Sequence, residues 1–559
     1  MKVKNKILLI LISIIFISFF IIGGLYLLFE REVSFIWNNI ELLSFQNSYE
    51  EKNRKIDILS YDINIELFPD VEKIYADTRV TGVYHEKEKK QIALDFHDNF
   101  DIHKVQLDGK ETDFSFNENQ IIIDKNNTLA DSFEVRIIYE GTPKNLGFGS
   151  FNFNKEGDHK MIYTLNEPIF ASTWFPCNDT PSDKAELNIS ITNDSGMVSV
   201  SNGKLISIVK ENDKITYNWK TVYPISTYLI ALYSAPYKTF SQQYLTEDND
   251  TMNIDYYVLP EKIEDAHHAF DDHLEYLKVF SNMFGEYPFV NEKYGIAQIS
   301  WTQGAMESQT ITGVGTNFIS RAKFFSDMLI HEVAHHWWGN AVTPKTWKDI
   351  WLSEGFATYS EALFWERTRG NSALISTMES FNFSNDSETL YDPNLNIFSQ
   401  MIYNKGAWVL HMLRREIGDT LFFKTLENYY QQFKYKNADT FDFKTVCENT
   451  SNINLDKFFD QWVFSGKGII EVSYNWEVKT LGSRTDILAI SLSQIQEGYN
   501  CYSFPIDISI EDSDGNKYTT TSFIASRDTV INIEVTNEIS SIEFDHESWL
   551  LGSFTYFGE

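Results

Sequence analysis

The stretch Ser326–Glu361, SDMLIHEVAHHWWGNAVTPKTWKDIWLSEGFATYSE, constrains the chain more than any other. It contains His331-Glu332-Val333-Ala334-His335. Residues four apart on a helix share a face, so the two imidazoles can converge on one point. Glu332, one residue on, is turned by about 100° around a 3.6-residue helix. That rotation takes it off the ligand position and lets it reach a water beside a metal as a general base. Met328, Leu329, Val333, Trp337 and Trp338 predict a buried helix, and a buried histidine needs a partner. Zinc suits the pattern, but a catalytic zinc takes three protein ligands. The third must come from another element. Gly339–Pro344 breaks the first helix, and a second helical pattern from about Trp347 carries Glu354. Zinc held by His331, His335 and Glu354 would act as a Lewis acid and bring the pKa of its water to about 7.

At 559 residues the chain is too long for one core, and three or four domains are expected. The formal net charge of -32 argues against nucleic acid, whose phosphates it could not neutralise, and against a basic membrane-binding surface. Three cysteines, Cys177, Cys447 and Cys501, give no disulfide framework, and Cys177 is read as packing. Ile7–Phe29 is a run of 23 uncharged, mostly apolar residues, enough to span a bilayer. Lys2, Lys4 and Lys6 precede it, so the N-terminus is expected in the cytoplasm and the rest outside it. A cleaved signal sequence is the alternative.

Residues 30–55 read as a polar juxtamembrane linker. From 56 to 240 short alternating runs predict an antiparallel β domain, with YDINIELF (Tyr61–Phe68), KIYADTRVTGVYH (Lys73–His85) and SFEVRIIYEG (Ser132–Gly141) as strands. Asp108-Gly109 and Asn202-Gly203 are turn signals. Over Glu261–Met283 the period becomes helical, and His267, His268 and His273 on this run read as surface residues. Helices dominate to Gly466, giving a catalytic domain over 241–466. Strands return over 467–559, enough for a small β-sandwich, with Asp514-Gly515 as a hairpin turn. The class is multidomain α+β, preceded by one transmembrane helix.

HEVAHHWWGN followed by WLSEGFATY resembles the gluzincin aminopeptidases, peptidase family M1, in which HExxH is followed after eighteen residues by a glutamate ligand. His335 and Glu354 have that spacing. Gly304-Ala305-Met306-Glu307 resembles the family's exopeptidase motif, and IYNKGAWVLHML, with Tyr403, resembles the segment of its catalytic tyrosine. Ala171–Ala185 and Ser226–Leu232 resemble parts of its N-terminal domain. The resemblance implies a saddle-like N-terminal β domain and a thermolysin-like, mainly helical catalytic domain. It also implies Glu332 as base and Tyr403 as donor to the oxyanion. A carboxylate near the metal can read a substrate's α-ammonium by charge-assisted hydrogen bonding, and the resemblance puts Glu307 and Glu167 there. The small residues Gly304 and Ala305, with Met306, would let substrate backbone pair with an edge strand. Ser308 stands where the family usually has Asn.

Many relatives carry a C-terminal helical domain that this sequence has no room for, so a more open site is expected. Glu361, seven residues after Glu354, and Asp349 are candidates to orient a ligand histidine, though a surface or capping role is favoured for both. The implied activity is removal of first residues from peptides with a free N-terminus. A thermolysin-like endopeptidase, the family's lipid-epoxide branch and an inactive binding protein on the same scaffold are the alternatives.

Overall fold

The computed structural model describes residues 56–558 apart from 85–90, 118, 125–130, 147–149, 382–387, 395 and 481–485. The expected membrane segment, 7–29, and the linker, 30–55, lie outside these residues. Among the described residues no helix is long and apolar enough to cross a membrane.

The first part of the chain builds three sheets. The largest has Ile56–Phe68, Lys73–Tyr84 and Ser132–Gly141 near its centre. Ile58, Tyr61, Ile63, Ile65 and Leu67 are buried, and a bulge between Ile58 and Ser60 resets the alternation. Ile56–Phe68 lies antiparallel to Lys73–Tyr84 but parallel to Lys184–Asp194, with Ser60 opposite Glu186. The expected antiparallel domain is therefore mixed at its centre. The chain leaves Phe68, runs through other strands, and re-enters the sheet pointing the same way.

Asp108-Gly109 turns tightly between paired strands, with both residues at positive φ. Asn202-Gly203 does something else. It carries the chain from Val198–Ser201, in a four-stranded sheet, to Lys204–Glu211, at one end of the large sheet. Asn202 is buried, donates to Leu229 O and Gln309 O, and accepts from Ala231 N. Gly203 N donates to Thr310 Oγ1 at 2.9 Å.

The catalytic part opens with a five-stranded sheet in the order Lys238–Leu245, Thr251–Val258, Tyr294–Ile299, Thr312–Gly315 and Ala305–Met306. The expected boundary at 240 falls inside its first strand, so this sheet begins at 238. Ala305–Met306 is an edge strand, antiparallel to Thr312–Gly315. The helices are α1 (Ile263–Ala269), α2 (His273–Phe284), α3 (Ser326–Ala334), α4 (Trp351–Arg369), α5 (Asn371–Ser380), α6 (Gly406–Ile417), α7 (Asp419–Phe433), α8 (Thr440–Ser451) and α9 (Asp456–Phe459).

The helical run over 261–283 is thus two helices broken at Phe270–Asp272. His267 and His268 are exposed, but His273 is fully buried, correcting the surface reading. Its Nδ1 lies 3.0 Å from Phe270 O and its ring packs against Phe270, Tyr276 and Tyr294. Burial pushes its pKa down to about 4, so it packs as a neutral ring.

The last part forms two sheets, one of four strands around Ile470–Lys479 and Asp486–Gln494, the other of three around Phe504–Asp512. Asp514-Gly515 turns the hairpin between Phe504–Asp512 and Lys517–Ile524. These sheets share one continuous hydrophobic core with the helices, whereas the first part has its own. Trp462 stacks on Tyr502 and His411 on Trp549, each with ring centroids 4.5 Å apart. No disulfide joins Cys177, Cys447 and Cys501, and Cys177 is buried in the first core.

Gly203 has φ +77°, and a Cβ there would lie 2.2 Å from Lys220 O. Gly203→Ala combines a left-handed backbone with a backbone clash, and is expected to cost about 2 kcal/mol or more. Chemical denaturation read by fluorescence checks this; an unchanged midpoint contradicts it.

Candidate active site

Helix α3 carries His331, Glu332 and, at its end, His335. Helix α4 packs against α3 and brings Glu354 up to both histidines. The Nε2 atoms of His331 and His335 are 2.9 Å apart, and Glu354 Oε2 is 3.3 Å from each. The Nδ1 atoms are engaged on the far sides of the rings. His331 Nδ1 donates to Glu361 Oε1 at 2.8 Å, and His335 Nδ1 to Trp338 O at 3.0 Å, with Ser353 Oγ at 3.2 Å.

With both Nδ1 atoms engaged outward, each ring can offer an Nε2 lone pair to a metal. Two ring nitrogens and a carboxylate oxygen converge on one point. This donor set suits a divalent cation, and two imidazoles with one carboxylate suit zinc. The predicted ligands His331, His335 and Glu354 are therefore brought together in a geometry that fits the metal. Glu354 is held at about 2, where burial, the largest effect, is outweighed by the histidines beside it.

Glu361 is in contact with the site, which corrects its reading as a surface or capping group. Asp349 is not. It is buried, caps α8 by accepting from Thr440 N and Thr440 Oγ1, and touches neither histidine. The outer partners of His335, Trp338 O and Ser353, were not read from the sequence. A backbone carbonyl leaves no residue signature, and Ser353 is marked only by preceding Glu354.

Glu332 lies beside the ligand cluster with Oε2 buried and without a hydrogen-bond partner. Burial first, then the Glu307 carboxylate, push its pKa up to about 8. Glu307 follows the edge strand Ala305–Met306, and Glu167 follows the strand His159–Thr164. They are only 4% and 5% exposed, and carboxylate oxygens of Glu167, Glu307 and Glu354 lie within 4.8 Å of one another. Both pKa values are raised, mainly by burial, and Glu307 is the next cause for Glu167. Glu307 Oε1 has no hydrogen-bond partner. Buried carboxylates this close call for a cation, and an ammonium group is one.

The surroundings hold these groups in place. Asn166 Nδ2 donates to Ile230 O, and its Oδ1 accepts from Trp174 Nε1, fixing the backbone just before Glu167. Asn340 Nδ2 donates to Glu307 O at 2.7 Å. Tyr228 OH donates to Gly339 O and Lys184 Nζ to Asn340 O, so the first domain grips the turn after α3. Thr310 has φ +67°, a strained position for a β-branched residue, and is tied to Gly203 and Lys293. Ser308 is buried, with its Oγ 3.1 Å from Tyr233 OH.

Tyr403 sits in a π-helical turn, Met401–Lys405, that leads into α6. Its ring centroid is 5.9 Å from that of His331. Burial, then Glu354, raise its pKa well above that of an ordinary phenol, so it keeps its proton and can donate. Gly355, next to Glu354, packs directly on Gly406: a Cβ on Gly355 would lie 2.8 Å from the Gly406 Cα. The ligand helix and the tyrosine segment thus meet backbone to backbone. Glu167, Glu307, His331, Glu332, His335, Glu354, Glu361 and Tyr403 open onto one cleft of about 810 Å³, which Gly304, Ala305, Met306, Met328, Phe381 and Phe398 also line.

Residues 58–229 match the model of the peptidase M1 N-terminal domain, and residues 268–462 that of the peptidase family M1 domain. The chain belongs to peptidase family M1. It is 24% identical over 483 residues to aminopeptidase 2 of Candida albicans, covering 80% of this chain and 51% of that protein. Its fold is similar to that of Legionella pneumophila aminopeptidase A in complex with aspartic acid, with TM-score 0.78, 18% identity, and coverage of 91% of this chain and 61% of that one. It is also similar to a mutant M1 zinc metallopeptidase from Deinococcus radiodurans bound to a Tyr-Ser-Ala substrate, with TM-score 0.64, 24% identity, and coverage of 73% and 94%. The chain spans about half the length of the curated relatives it matches.

Glu361→Gln keeps the shape of the His331 partner but removes its charge. It is expected to weaken zinc binding about 10- to 100-fold. Chelator competition against a colorimetric zinc indicator checks this, and equal affinity of the two proteins contradicts it.

Proposed function

We propose that this chain is a zinc aminopeptidase that removes the first residue from peptides with a free N-terminus. One observation carries the reading: two buried carboxylates, Glu167 and Glu307, stand within 4.8 Å of Glu354 in the histidine cluster. A substrate ammonium bound between them would place the first peptide bond over the metal ligands. An internal segment of a longer chain would bring no cation there and would leave both carboxylates buried and unpaired.

Zinc held by His331, His335 and Glu354 would polarise the scissile carbonyl and acidify a water for attack. The chain's own residues do the rest. Glu332 takes the proton of the attacking water and returns it to the leaving amine. Tyr403 keeps its proton and donates a hydrogen bond to the oxygen on which negative charge develops. The edge strand Ala305–Met306 offers free backbone groups to an extended substrate, and Glu307, directly after it, fixes the register. Glu361 holds His331 with Nε2 turned into the site.

Fluorogenic aminoacyl amides run against their N-acetylated twins test the reading. Cleavage should be confined to the free amines, lost with a zinc chelator and restored by added zinc. Equal cleavage of acetylated substrates would put an endopeptidase in its place. Glu332→Gln should lower kcat by about 10²–10⁴-fold with zinc still bound. Tyr403→Phe should lower kcat by about 10²–10³-fold with little change in KM.

We also infer, from residues 1–32 alone, that Ile7–Phe29 anchors the enzyme in a membrane with the catalytic domain on the extracytoplasmic side. The full-length protein should stay with membranes after alkaline carbonate washing. A mature N-terminus near residue 30 by mass spectrometry would rule the anchor out.

A further inference from the structure

Resting on the aminopeptidase reading, and deepening it, we propose that the cleft takes peptides with a large uncharged or a basic first residue and rejects those beginning with Asp or Glu. The argument holds wherever in the cleft the first side chain lies, because among the described residues no wall offers it a Lys or Arg.

Besides the Tyr403 phenol, the ionisable groups lining the cleft are five carboxylates, Glu167, Glu307, Glu332, Glu354 and Glu361, and the histidines His331 and His335. No Lys or Arg lines it among the described residues. The sequence extends this to 147–149, 382–387 and 395, which contain no Lys or Arg. The lining residues come from 161–183, 294–320, 324–344, 349–366 and 370–404, and none of these stretches contains a Lys or Arg. The cations that flank them in sequence are held elsewhere. Lys405, directly after the lining residue Asn404, is buried and donates to Gly466 O at 2.8 Å. Lys348 pairs with Asp392, and Lys323 with Asp271 and Asp272.

A first residue with a carboxylate side chain would therefore enter a cleft rich in like charge. The one strong cation there, the metal, is committed to the scissile carbonyl. Such a side chain would lose its water and gain no partner, and a like charge nearby adds to that cost. A basic side chain meets no like charge on the described walls, and its stem can lie along their apolar side chains. Apolar wall is also available from Trp301, Met306, Met328, Phe381, Ile397 and Phe398, so a large uncharged side chain gains by burial. Small first residues would fill little of the roughly 810 Å³ and gain less.

The test uses the zinc-loaded full chain in detergent and aminoacyl amides in matched pairs, Gln against Glu and Asn against Asp. Each pair differs in charge at nearly constant size, so steric effects cancel. We expect kcat/KM for Gln to exceed that for Glu by about 10²-fold or more, with Leu, Phe and Arg among the fast substrates. A Gln to Glu ratio near one, with N-acetylated twins inert, overturns this proposal and leaves the aminopeptidase intact. Cleavage of none of the amides overturns both. A second arm places a cation in the cleft. Gln303 is exposed and lines it, so Gln303→Arg should fold. It is expected to raise the Glu to Gln ratio about 10-fold while cleavage of Leu stays near wild type. An unmoved ratio would mean that cleft charge does not govern selection, and would count against the proposal.

Discussion

The convergence of two imidazoles and a carboxylate organises this molecule. The Nε2 atoms of His331 and His335 and the Glu354 carboxylate point at a common centre, where one divalent cation could serve all three. The helix repeat places the two imidazoles together, but the partners of their Nδ1 atoms come from outside α3, from Glu361 on α4 and from the Trp338 carbonyl. Much of the catalytic fold serves that convergence. α3 and α4 are locked by packing, and Gly355 lies against Gly406, so the tyrosine segment approaches as closely as backbone allows.

The first domain has a more direct part in the site than covering one side of it. Tyr228 and Lys184 hold the turn after α3 by its carbonyls, and Asn340 in that turn holds the carbonyl of Glu307. Asn202 and Gly203 reach the same loop through Gln309 and Thr310. The helix of the histidine pair and Glu307 are therefore registered against each other through residues from both domains. The strain at Thr310 is paid for there, since a β-branched residue adopts a left-handed backbone only when its surroundings enforce it.

What could be read in advance follows the range of each interaction. The ligand set was legible because i, i+4 spacing is a local property and the third ligand comes from the next helix. The strands with clean alternation, such as Ser132–Gly141, were legible for the same reason. The parallel pairing of Ile56–Phe68 with Lys184–Asp194 was not, since strand order is decided by contacts more than a hundred residues apart. Glu361 and Asp349 could not be ranked, because both are carboxylates near the ligand helix and only packing separates one that meets His331 from one that caps α8. His273 was misplaced because a histidine in a polar-looking run gives no sign that aromatic rings will enclose it. The turn pair Asn202-Gly203 announced a reversal, yet its side chain and backbone serve a crossing between sheets.

The core shared by the helices and the last two sheets sets an order of events during synthesis. The core of the first domain, which takes in Tyr257, Leu259, Ala297, Ile299, Met306 and Ile311 from the neighbouring five-stranded sheet and its flanks, is complete once residues near 311 have left the ribosome. The helices bearing His331, His335 and Glu354 have no such independence, for their core is closed by Ile470, Leu488, Ile506 and Ile510. The metal ligands thus exist as a connected peptide well before they exist as a site. During that interval the face of α6 that meets the last sheets through His411 and Arg415 stands uncovered and open to aggregation or to chaperones.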